Sequence, residues 1–74
     1  MMKIIVFGAT GGVGKYVVQQ GLDAGLEVTA FVRTPAKLEI THENLNIVQG
    51  DAFNKEEVSA AISNHDAVVS CLGS

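Results

Sequence analysis

The segment KIIVFGATGGVGKYVV, residues 3–18, constrains this chain more than any other. Lys3 to Phe7 form a run dominated by β-branched residues, the pattern of a strand covered on both faces, as strands of parallel sheets are. From Gly12 onward the apolar period becomes helical. Gly14, Val17, Val18, Gly21, Leu22 and Gly25 share one face, and Lys15, Gln19 and Asp23 point away from it. Between strand and helix stand Gly8, Gly11 and Gly14. A doubly covered strand running straight into a helix that lies on the sheet predicts the α/β class, because parallel neighbours are reached only through crossovers.

The rest of the chain supplies those neighbours. Gly25 ends the first helix, and Glu27 to Val32 (EVTAFV) reads as a second strand. Thr34 and Pro35 suit a helix start, but the apolar pattern fades by Glu39, which predicts a short, irregular crossover. Leu45 to Val48 reads as a third strand, ending at Gly50 and Asp51. Asn54 then heads a helix with Glu57 three residues on, the spacing of a capping box, and with Val58, Ala61 and Ile62 facing inward. Ala67 to Leu72 closes the chain as a fourth strand. Right-handed crossovers give the spatial order 3-2-1-4. The expected fold is a Rossmann-type parallel sheet with crossover helices, the first half of a doubly wound sheet plus one strand.

Each glycine of the first turn answers a demand that excludes a Cβ. Gly8 permits a tight exit from the strand, Gly11 leaves room for a pyrophosphate to touch backbone, and Gly14 lets helix and sheet approach. The helix N-terminus offers unpaired N–H groups and the positive end of its dipole, so backbone alone holds a diphosphate. The same letters nearly satisfy the P-loop pattern G-x-x-x-x-G-K-[ST]. Ala9 stands at the first glycine, however, and Tyr16 stands where a hydroxyl would hold magnesium, which disfavours a nucleoside triphosphatase.

The end of the second strand chooses between cofactors. An NAD site places an acid there, about twenty residues past the glycines, to accept from the ribose 2′-OH. This chain reads Val32-Arg33-Thr34. Arg33 suits a 2′-phosphate and stacks on adenine, Thr34 offers a hydroxyl and an N–H, and Lys37 is a candidate second phosphate contact. NADP is expected over NAD. Asp51, at the carboxyl edge of the sheet, is placed to accept from the adenine amino group, with the Ala52 N–H or Phe53 beside the ring; capping of backbone is its alternative role. Gly73 would let the cofactor ribose pass the end of the fourth strand.

Composition narrows the rest. With 74 residues the chain makes one small domain that buries about 60% of its unfolded surface. The apolar fraction of 47% fits a packed unit, and no apolar run reaches the ~20 residues of a membrane span. No secretory signal pattern is visible, so a cytoplasmic location is expected. The net charge of −3, with the bases scattered at Lys3, Lys15, Arg33, Lys37 and Lys55, argues against nucleic acid as a partner. Cys71 is the single cysteine and has no partner for an internal disulfide. In an apolar strand its thiol is expected to serve as a small core group.

GATGGVG, VRTPAKL, VQGDAFN and DAVVSCLG together resemble the N-terminal half of the atypical short-chain dehydrogenases, the NAD(P)-binding group that includes NmrA-like regulators and flavin or biliverdin reductases. The likeness covers essentially the whole chain. It implies an NADP site made by Gly8, Thr10, Gly11, Gly12, Val13, Gly14, Arg33, Thr34, Asp51, Ala52, Leu72 and Gly73. It also implies that residues 1–74 are the dinucleotide-binding half of a longer chain. Many members use Tyr-x-x-x-Lys as acid and base, but Tyr16 is followed four residues later by Gln20, and His42 and His65 read as surface residues. Catalytic residues are therefore expected beyond Ser74, and the 74-residue species is expected to show no turnover. The fourth strand would present an open edge, where two copies could pair as a homodimer. The resemblance points to the cofactor portion of an oxidoreductase that transfers hydride to a small carbonyl, quinone or flavin-like acceptor. A non-catalytic NADP-sensing regulator is the alternative, and a sugar-nucleotide epimerase or dehydratase, which typically prefers NAD, fits Arg33 less well.

Overall fold

The computed structural model describes residues 2–71. Four strands, β1 (Lys3–Phe7), β2 (Glu27–Val32), β3 (Leu45–Gln49) and β4 (Ala67–Ser70), pair in parallel in the order β3-β2-β1-β4. Helix α1 (Gly12–Asp23) crosses from β1 to β2, a single 3-10 turn (Pro35–Lys37) lies between β2 and β3, and helix α2 (Lys55–Ile62) precedes β4. This is the four-stranded Rossmann-type arrangement expected from the sequence.

Helix α1 ends where its residues require. Gly25, at φ 82°, takes the left-handed conformation open to glycine, the Leu26 N–H donates to the Gly21 carbonyl, and the Gly25 N–H donates to that of Leu22. Those two bonds form a Schellman motif. The inner face of α1 buries Gly14, Val18, Gly21 and Leu22 against Ile4, Val6, Val28, Ala30 and Val32. Gly21 sets the spacing between the layers: a Cβ there would lie 2.9 Å from Val28 Cγ2 and 3.1 Å from Ile4 Cδ1. Gly21 thus shares the close approach of helix to sheet with Gly14, which lies about two turns earlier against the exit of β1.

The opposite face of the sheet is thinner. Ile5, Phe7 and Phe31 form its buried centre, with Ala52, Val58 and Ala61 packed against them. Val58 and Ala61 face inward as expected, whereas Ile62 is exposed, because an eight-residue helix bearing small alanines turns its last residue away from the strands. The capping box also differs from expectation. The Asn54 side chain does accept from the Glu56 and Glu57 amides, at 3.0 and 3.2 Å. Glu57, however, accepts from the Asp51 N–H at 2.7 Å, while the Asn54 N–H donates to the Asp51 carbonyl. The loop before α2 folds back one turn further than a capping box does.

Burial falls off from the centre of the sheet. All of β1 beyond Lys3 and all of β2 beyond Glu27 are buried, while β3 exposes Ile47 and Val48 and β4 exposes Val68. Among the described residues β4 pairs only with β1. Cys71 follows β4, partly buried against the α1-side core, and its N–H donates to the Phe7 carbonyl. His65 departs from the surface role expected of it: it is half-buried, with Nε2 2.8 Å from Thr29 Oγ1 and Nδ1 3.1 Å from the Ser63 carbonyl. A ring that donates to that carbonyl through Nδ1 accepts from Thr29 through Nε2, which satisfies the buried polar side chain of β2. No helix among the described residues is long and apolar enough to cross a membrane.

Candidate dinucleotide site

Three loops leave the carboxyl ends of β1, β2 and β3 side by side, because parallel strands deliver all their exits to one edge. They enclose a cleft of about 240 Å³. Gly8 and Thr10 line it from β1, Arg33, Thr34 and Lys37 from β2, and Gly50, Ala52 and Phe53 from β3. Phe31 and Val32, buried residues of β2, also contribute to its wall. A small-molecule site commonly occupies about 300–1,000 Å³, so this cleft suits one end of a dinucleotide.

The mouth of α1 adjoins the cleft. Gly8, at φ 75°, makes the expected sharp exit from β1, and the Gly11 N–H donates to the Gly8 carbonyl at 3.2 Å. The first helical bond runs from the Lys15 N–H to the Gly11 carbonyl at 2.9 Å. Helix geometry leaves the amides of Gly12, Val13 and Gly14 without acceptors inside the helix. The N-cap, Gly11, has no side chain to give them, and the first turn holds no acid. Gly12 and Val13 are exposed and Gly14 is buried, all at the positive end of the helix dipole; none of the three lines the cleft, which this turn reaches through Gly8 and Thr10.

The glycines of this turn separate into two groups when a Cβ is placed on each. At Gly14 it would overlap the Gly8 carbonyl oxygen and lie 2.7 Å from Ala9 Cα, so the fold itself requires glycine there. At Gly11 its nearest neighbour is the Gly8 oxygen, at an ordinary 3.6 Å, and at Gly12 nothing lies within 4 Å. Gly11 has φ −74° and ψ 165°, which any residue adopts. Serine or aspartate would cap α1 better than Gly11, and alanine at position 12 would favour the helix by up to about 1 kcal/mol. The unliganded fold gives no reason for glycine at either position.

The charges point the same way. Arg33 and Lys37 are exposed, and among the described residues the one ion pair is Lys3–Glu27, at 3.9 Å, at the far end of the sheet. Among the described residues no carboxylate pairs with Arg33 or Lys37. Asp51 lies beside the cleft but not in its lining, and its Oδ1 accepts from the Phe53 N–H at 2.9 Å, so one carboxylate oxygen organises the loop. The Tyr16 side chain is exposed on α1, and His42 Nδ1 accepts from the Asn44 N–H, away from the cleft lining. Leu72 and Gly73 lie outside the described residues. In the sequence Gly50 marks only the end of a strand, yet a Cβ there would overlap the Phe31 ring. No local pattern signals that contact, since the ring arrives from β2. Among the described residues no cluster of three or more His, Cys, Asp or Glu side chains could hold a metal ion.

A family model described as NAD(P)H-binding matches residues 8–74. The chain belongs to this NAD(P)H-binding family. It is 36% identical over 69 residues to the photosystem II assembly factor Ycf39 of Synechocystis, an alignment that covers 92% of this chain and 21% of that protein. It is 32% identical over 80 aligned positions to phenylcoumaran benzylic ether reductase TP7 of Nicotiana tabacum, covering 96% of this chain and 26% of the reductase. A Rossmann-fold NAD(P)-binding family protein from Shigella flexneri superposes with a TM-score of 0.89 at 29% identity, over 100% of this chain and 39% of that one. The chain therefore spans about a fifth to two fifths of these relatives. The resemblance drawn from the glycine and Arg-Thr segments is borne out at the level of the NAD(P)H-binding family.

Proposed function

We propose that the chain is the NADP(H)-binding portion of an oxidoreductase that transfers hydride to a small carbonyl, quinone or flavin-like acceptor. The observation that carries the reading is the pairing of two features on one sheet edge: uncapped amides at the start of α1, and the cationic Arg33-Thr34-Lys37 segment without an acidic partner. The amides of Gly12, Val13 and Gly14 would hold the pyrophosphate. Arg33, with Thr34 and Lys37, would hold the 2′-phosphate, and Asp51 and Ala52 would approach the adenine edge. The cofactor supplies hydride when bound, and the chain's own residues bind and orient it. Similarity to a benzylic ether reductase supports the oxidoreductase reading. Similarity to an assembly factor supports a second one, a non-catalytic NADP-binding regulator.

Calorimetric titration with NADP and NAD tests the cofactor assignment. Arg33→Ala is expected to weaken NADP binding by about 1.5–3 kcal/mol, the worth of a charge-assisted bidentate pair, and to change NAD binding little. Equal losses for both dinucleotides would overturn it. Gly11→Ala separates ligand demand from fold demand. It should leave thermal stability within about 1 kcal/mol of wild type and weaken both dinucleotides at least tenfold, since the methyl group would occupy the approach to the amides. Unchanged affinity would remove the pyrophosphate from that place.

A further inference from the structure

We infer that the outer edge of β3 pairs antiparallel with the β3 edge of a second copy of this chain, joining two four-stranded sheets into one. β3 is an outer strand, bonded to β2 on one side. In a parallel ladder alternate residues turn their main-chain groups to one neighbour and the rest turn theirs the other way. The Val28 N–H donates to the Asn44 carbonyl and the Gly50 N–H donates to the Val32 carbonyl, so the even-numbered residues of β3 serve β2. Ile47 and Gln49 therefore aim their N–H and C=O groups outward, as Leu45 does its C=O, while the Leu45 N–H already donates to the His42 carbonyl at 3.1 Å.

Sheet edges are ordinarily protected by a lysine, a proline, a bulge or a covering segment. β3 reads Leu-Asn-Ile-Val-Gln, without charge or proline, and pairs with β2 in unbroken register. Among the described residues nothing covers it: Asn46, Ile47, Val48 and Gln49 are all exposed, with Ile47 at 44% on one face of the sheet and Val48 at 37% on the other. An uncharged edge with open main-chain groups fits another strand, and β3 is complementary to itself. With a twofold axis through Ile47, each Ile47 N–H donates to the Ile47 C=O of the second copy, and each Gln49 N–H donates to the second copy's Leu45 C=O. The two Ile47 side chains then cover each other on one face, and Val48 meets Asn46 on the other. Glu43 and Asp51, the like charges that this register brings together, lie beyond the strand ends, and added salt should screen them and favour the pair. This is the edge opposite β4, where the sequence alone suggested a homodimer.

Sedimentation equilibrium of the purified protein reads the pairing. The average mass should rise with concentration toward twice the monomer value, since an edge this short makes a weak, reversible dimer. Ile47→Lys sets like charges directly opposite each other and should hold the chain monomeric at the same concentrations. In a Cys71→Ser background, Ile47→Cys should form an intermolecular disulfide on mild oxidation, because residues that exchange both hydrogen bonds stand about 5.5 Å apart at Cα, within disulfide reach. Val48→Cys should not, since the register sets its two copies two positions out of step and more than about 7 Å apart. Both positions are exposed, so melting temperatures should stay close to the wild-type value. A wild-type chain that stays monomeric at every concentration would overturn the inference. So would a dimer unaltered by Ile47→Lys, or one crosslinked as readily through position 48 as through position 47.

Discussion

Gly14→Ala is expected to destabilise the fold by about 3 kcal/mol or more, the upper range for overpacking against atoms unable to yield. A Cβ at this position would overlap the Gly8 carbonyl oxygen and crowd Ala9 Cα, and both belong to backbone, so no rotamer change relieves the contact. Helix α1 would have to lift from the turn. Its next inward residue, Val18, is fully buried against β1 and β2 and resists that movement. For a domain this small, 3 kcal/mol corresponds to a fall of about 12–24 °C in melting temperature. Thermal unfolding followed by far-ultraviolet circular dichroism checks it. A loss below about 1 kcal/mol would show that the turn relaxes freely. The contrast with Gly11→Ala is the informative part, since two glycines three residues apart should fail in different assays.

The second large effect is expected at Phe31. Phe31→Ala should cost about 3–5 kcal/mol, the range for truncating a buried aromatic. Its ring is 3% exposed, lies 4.9 Å from the Phe7 ring at an interplanar angle of 52°, and fills the space above Gly50. Among the described residues the thinner face of the sheet is centred on three buried side chains, Ile5, Phe7 and Phe31, so the loss of one removes much of its centre. Phe31 also forms part of the cleft wall, and truncation should weaken dinucleotide binding as well. Gly50→Ala alone should destabilise by pressing a methyl group into the ring. In the double variant that methyl group meets no ring, so the two losses should sum to less than their separate values. Urea unfolding of the four species measures the coupling. Strict additivity would mean that Phe31 and Gly50 do not constrain each other.

Much of the site was legible in the letters because its parts are local. The exit at Gly8, the start of α1 and the cationic end of β2 each depend on a few consecutive residues whose types state their backbone preference or charge. Gly11 shows where that legibility stopped. From sequence it carried the same weight as Gly8 and Gly14, and only the space around a Cβ separated the glycine that the fold does not require from those that it does. Glu57 shows the same for polar contacts. Its spacing from Asn54 announced a capping box, but the side chain reached Asp51 instead, because the loop before α2 closes on itself. His65 and Thr29 are 36 residues apart, and nothing near either one signals that they meet.

By itself the order of residues determined the parallel sheet, its strand sequence and the edge at which a ligand would sit, since periodicity and turn chemistry act over short distances and the crossover rule does the rest. Tertiary structure alone decided which glycines the fold needs, that Gly21 meets Val28 and Ile4, and how Gly50, Phe31 and Phe53 come to one cleft. Those facts are distances between segments far apart in the chain, and no short-range preference encodes them.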